Sequence, residues 1–134
     1  MKKRSAFSVL ALFVCGSAIA STDHYFLRDG THVHHLKITR VGEDITVTAD
    51  VNFEPNAAEG GREACSAQIS GEAKSVSDNV LLLKKQIEGE ARYCSLTIQL
   101  TPDGAKLEQS PECGYFAAGI CHFDSDGKEL VRIK

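Results

Sequence analysis

The sequence predicts an all-β fold, a small antiparallel barrel or curved two-sheet sandwich of about eight strands stapled by disulfides. Three observations predict it. Apolar and polar residues alternate at period two through several short stretches, turn residues punctuate those stretches, and cysteines recur through the second half of the chain. The clearest case near the C-terminus is 93–100, where Cys94, Leu96, Ile98 and Leu100 fall on one face and Tyr93, Ser95, Thr97 and Gln99 on the other. That is the signature of a half-buried strand. Many strands in so short a chain favour closing or doubling the sheet, because either solution limits exposed edges.

The chain opens on Lys2, Lys3 and Arg4, followed by an apolar run over 6–14 and the small-residue site Ala18-Ile19-Ala20. This reads as a secretory signal peptide over 1–20, too short for a spanning helix, with 21–134 as a single β domain. Cys15 is not expected to carry a lipid, because Val14 stands where a lipoprotein peptidase wants a small residue. The whole chain has 15 Lys plus Arg and 18 Asp plus Glu; cleavage removes three basic residues and no acidic one, leaving 12 against 18, a net charge of −6. An anionic nucleic acid or membrane surface is therefore a poor partner, and a basic protein a better one.

Cleavage leaves Cys65, Cys94, Cys113 and Cys121. An even number in an exported chain predicts two disulfides. Of the three pairings, Cys65 with Cys94 and Cys113 with Cys121 is expected: the first two lie on inward strand faces and the second two are local.

The elements follow in order. Strands over 24–28 and 32–40 flank the Asp29-Gly30 hairpin signal. Over 44–53, Ile45, Val47, Ala49, Val51 and Phe53 alternate with polar residues. The stretch 54–62 loses periodicity and reads as a solvated loop, with Glu54, Glu59 and Glu63 as an acidic rim in or beside it. Cys65, Ala67, Ile69 and Gly71 form the next inward set. The dense run Val80-Leu81-Leu82-Leu83 is assigned to a strand over 79–87 rather than a helix, because Gly89 stops it after too few residues for a stable helix. A turn at 101–104, a short strand over 105–110, the cysteine-bounded loop 113–121, a turn at 124–127 and a strand over 128–133 complete the chain.

Chemistry-bearing patterns are sparse. His32 and His34 share a strand face at a spacing able to bring two imidazoles to one metal, with His24 and His35 nearby, but no third ligand or water-activating acid is fixed by the spacing. The default reading of these histidines is surface or packing, and no cofactor is expected. Ser66 and Ser95 lack nucleophile-elbow glycines, Gly60-Gly61 makes no phosphate loop, and Cys113 and Cys121 are too far apart for a redox pair. Glu88 and Glu90 fall at a hairpin end, where solvation is the simpler role. The 124–127 turn lacks the ligands and helices of a calcium loop. No enzymatic activity is predicted.

Tyr115 and Phe116, on a loop expected to be stiffened by a disulfide, either cap the core or present a recognition knob. A basic leader, alternating strands and the cysteine-bounded ECGYFAAGIC at 112–121 resemble the small exported proteins of Gram-negative bacteria that include periplasmic lysozyme inhibitors. The serine-containing SGxxY-like loop of one such family is absent here, and the resemblance centres on 114–119. It implies a β-rich, disulfide-stapled periplasmic or secreted protein that blocks a basic cell-wall hydrolase with surface loops. The partner-binding residues expected on this reading are Tyr115, Phe116, Glu112 and Asp124. The alternative is an exported module that binds a small ligand or metal at the barrel mouth or the first-hairpin histidines.

Overall fold

The computed structural model describes residues 20–55, 64–117 and 121–133. The expected leader lies outside them except for Ala20, which begins the first strand; Glu59 and Glu63 of the acidic loop also lie outside. The strands are β1 (Ala20–Asp29), β2 (His32–Val41), β3 (Asp44–Phe53), β4 (Cys65–Ser77), β5 (Val80–Gln86), β6 (Tyr93–Leu100), β7 (Gly104–Gln109) and β8 (Leu130–Ile133), with a 3-10 helix at Pro111–Tyr115. Each strand pairs antiparallel with its sequence neighbour, and β8 pairs with both β7 and β1 to close a barrel. The all-β expectation holds, and closure selects the barrel over the sandwich.

Closure follows from the alternation. Inward positions of β2, β3, β4 and β6 carry Leu36, Ile38, Val47, Val51, Phe53, Ile69, Leu96 and Ile98, all buried, while Ile45 and Leu100 pack partly buried at the margin. The dense run in β5 divides the same way: Leu81 and Leu83 are buried, and Val80 and Leu82 lie half-exposed on the outer wall. An eight-stranded barrel has an interior just wide enough for such side chains to fill. Gly71 is part of the fit, because a Cβ there would stand 2.8 Å from Leu83 Cδ1.

The first hairpin forms as expected with its loop one residue later. Asp29 pairs with His32, leaving Gly30 (φ 62°) and Thr31 as the turn. A glycine at the first central position suits the turns that match strand twist, and Asp29 is tied by its carboxylate to Lys128 Nζ at 2.5 Å.

The disulfides depart from the expected pairing. Cys65 is bonded to Cys121 (Cα–Cα 6.1 Å) and Cys94 to Cys113 (4.4 Å). Cys65 and Cys94 do both lie on inward faces, but β5 runs between their strands. Two strand spacings, about 9–10 Å, exceed the reach of a disulfide. Both cystines instead fasten the segment after β7 to a strand start, Cys94 in β6 and Cys65 in β4.

That segment closes the seam left by the short β8. Ser125, buried, accepts the Leu107 N–H on its hydroxyl (3.0 Å) and donates its own N–H to the Leu107 carbonyl (3.0 Å). The Phe123 N–H reaches Gln109 Oε1 at 2.6 Å, and the Phe123 ring is buried in the core. At the opposite end, Asp23 accepts from Arg132 (2.6 Å) and lies 3.5 Å from Arg40, closing the barrel floor with ion pairs.

Candidate functional site: a stapled aromatic knob

Where β7 ends, Ser110 is sewn to β6. Its N–H donates to the Ser95 carbonyl and its hydroxyl accepts the Ser95 N–H, both at 2.9 Å. Pro111 then starts the 3-10 helix, where its missing N–H costs nothing. Cys113 faces inward, fully buried, and its bond to Cys94 holds this one-turn helix against β6. Sequence-local propensity could not hold so short a helix; tertiary tethers on either side do.

Tyr115 projects from the far end, 59% exposed. Arg92, in the β5–β6 loop, donates from Nη2 to the Tyr115 hydroxyl at 2.5 Å, with its guanidinium carbon 4.9 Å from the ring centroid. Glu90 accepts from that same Nη2 (2.6 Å) and from Nε (2.8 Å) on its Oε2. The row Glu90–Arg92–Tyr115 thus fixes an exposed aromatic ring in place. Hydrogen bonding to Glu90, then to Tyr115, pushes the Arg92 pKa upward. Glu112 sits on the same helix, its carboxyl held below its ordinary range by its own backbone N–H and then by the Ser110 hydroxyl.

The expected partner-binding residues divide. Tyr115 and Glu112 share the knob, whereas Phe116 is half-buried against the core. Asp124 belongs to a different feature, accepting the Asp126 N–H at 2.7 Å in the turn before β8. Stiffness comes from the Cys94–Cys113 bond and the Arg92 clamp, not from a local Cys113–Cys121 loop. Arg92 went unnoticed in the sequence because nothing local links it to Tyr115, 23 positions away.

The histidines form two separate groups. His24 and His35 lie on the outer wall, Nδ1 to Nε2 at 3.3 Å, with His35 Nδ1 3.9 Å from Asp50. His24 therefore does not join His32 and His34, which face the opposite way on β2. His122 takes that place, its ring centroid 6.5 Å from that of His32 and 6.4 Å from that of His34. Among the described residues, no three His, Cys, Asp or Glu side chains already stand arranged around a metal position. Among the described residues, the outer wall carries a groove of about 430 Å³ beside Arg28, Val33 and Glu54 and another of about 360 Å³ beside Val76 and Leu82.

No helix among the described residues is long and apolar enough to cross a membrane, and the two cystines suit an oxidising compartment. No family model, curated protein or solved structure matches the chain, so the functional reading rests on the geometry of the knob and the chemistry of the surface around it.

Proposed function

We propose that this is an exported, non-enzymatic protein-binding module that acts in the periplasm or outside the cell by inhibiting a basic cell-wall hydrolase of the lysozyme kind. The observation that carries the reading is Tyr115: an aromatic side chain, largely exposed, yet immobilised by Arg92 and by a helix stapled at Cys94–Cys113. Tyr and Arg are enriched among residues that dominate interface energies, and a ring already ordered loses little entropy on docking. Glu90 and Glu112 give the knob an acidic border, and the net charge of −6 expected after leader removal favours encounter with a cationic enzyme.

The test is binding and inhibition by the mature protein against a panel of c-type, g-type and i-type lysozymes and bacterial amidases and endopeptidases. At least one enzyme is expected to be inhibited, and Tyr115→Ala to weaken that complex by about 2 kcal/mol or more, roughly thirtyfold in Kd, with an unchanged circular dichroism spectrum. Failure to bind any member of the panel, or a Tyr115→Ala variant that inhibits as well as the parent, removes the proposal.

A further inference from the structure

We propose that His32, His34 and His122 form a binding site for a first-row transition-metal dication of the Zn²⁺ class, at the barrel end covered by the segment after β7. Two ligands come from one strand: His32 and His34 are two residues apart on the inner face of β2, paired with Phe53 and Val51 of β3. The third follows Cys121, whose bond to Cys65 pins that part of the covering segment to β4. The three imidazoles thus come from a rigid sheet and from a segment covalently fastened to that sheet.

The strongest mark of a missing partner is on His34. Its side chain is 4% exposed, and its buried Nδ1 has no hydrogen-bond partner among the described residues. An unsatisfied buried polar nitrogen is costly and uncommon in a folded protein. A metal bond from that nitrogen removes the cost, because a neutral imidazole offers its lone pair directly to a borderline metal. Among the described residues, the acidic groups that act on His34 are Asp126 and Asp29; Asp29 is already paired with Lys128, so Asp126 is the one that would attract a dication. The His122 ring is oriented by its Nδ1 on the Asp124 carbonyl (3.0 Å), which leaves Nε2 for the metal, and Asp126 Oδ2, 3.7 Å from that Nε2, is placed to supply a fourth ligand.

The rings require a small closing movement. Around a tetrahedral zinc, imidazole centroids stand roughly 5 Å apart, against 6.4 and 6.5 Å here. Side-chain rotation of about 1 to 1.5 Å closes the two gaps that separate His122 from His32 and His34. His122 is not in a strand, and its Nδ1 lies 3.0 Å from the Asp124 carbonyl, so its part of the movement is carried by the short turn that follows it. The outer pair His24 and His35 is a poorer site, since the nitrogens that approach each other already share a hydrogen bond and only two imidazoles are present.

Calorimetric titration of the untagged, disulfide-intact protein with Zn²⁺ at pH 7.5 tests the assignment. One ion per chain is expected. His122→Gln and His32→Gln should each lower the affinity at least tenfold, the double variant His24→Gln/His35→Gln should leave it unchanged, and binding should weaken at pH 5.5 as protons compete for the ligands. Circular dichroism of each variant checks that the barrel is intact, and His122 lies outside the strands, so its replacement leaves the sheet in place. Absence of stoichiometric binding overturns the proposal, as does an affinity that falls with the His24/His35 pair or survives both His122→Gln and His32→Gln.

Discussion

Burial pushes the His34 imidazole below its ordinary range, and His122 and His32 add repulsion that Asp126 and Asp29 only partly offset. The consequence for stability has a definite sign. An unfolded chain takes up a proton at this position as pH falls through about 6.5, whereas the folded chain resists until lower pH. Between those points the unfolded state binds more protons, so stability falls on acidification. Urea midpoints of the metal-free protein at pH 7.5 and 5.0 should therefore differ, with the lower value at pH 5.0, and His34→Leu should shrink the gap. A gap of equal size in both chains would show that His34 is not its source. At Gly104 the constraint is steric: a Cβ would overlap the Leu130 carbonyl oxygen of the neighbouring strand. Gly104→Ala should cost about 1–3 kcal/mol by denaturant titration, and its effect should concentrate where β7 meets β8, because only Gly104 and Ala105 pair there.

At the scale of elements, the segment after β7 has little regular structure of its own and depends on what fastens it. The Cys94–Cys113 bond closes a separation of 19 residues and Cys65–Cys121 one of 56. In the chain-entropy model these contribute about 3.2 and about 4.2 kcal/mol. Non-reducing peptide mapping is expected to recover these two pairs; a Cys65–Cys94 crosslink would contradict the fold, since β5 stands between them. Replacing Cys94 and Cys113 together by Ser should loosen the 3-10 helix and weaken partner binding by the Tyr115 surface. Replacing Cys65 and Cys121 should instead reduce zinc affinity by releasing the chain beside His122. A crossed result, with each pair of substitutions affecting the other function, would refute this division of labour.

For the whole molecule, the barrel is one apolar interior enclosed by a wall that also carries the proposed binding surfaces. Ile98, fully buried, pairs with Leu81 and Leu107 on either side. Ile98→Asp would place an unpaired charge in that interior and should abolish the cooperative unfolding transition, with loss of the β-type circular dichroism spectrum. Charge acts at longer range. With the net charge of −6 expected after leader removal, association with a cationic hydrolase should slow as salt is added. Glu112→Lys should reduce both the association rate and its salt dependence, with less effect on dissociation. A rate indifferent to salt and to Glu112→Lys would count against electrostatic encounter.

The period-two patterns around Val47, Val51, Ile69, Leu96 and Ile98 determined the strands and their buried faces, because side-chain direction in a strand alternates whatever the strand is paired with. The dense run Val80 to Leu83 was legible as a strand once Gly89 limited its length, but four apolar residues in a row hid which face is buried; the structure buries Leu81 and Leu83. The even cysteine count expected after leader removal announced two disulfides, whereas spacing misassigned their partners. Partnership was decided only by the tertiary structure: which cysteines meet depends on strand order around the barrel, and β5 separates Cys65 from Cys94. Likewise Arg92 reaches Tyr115 across 23 residues, and His122 replaces His24 beside His32 and His34. Local alternation shows which way a residue faces. Only barrel closure and the path of the covering segment decide what it meets.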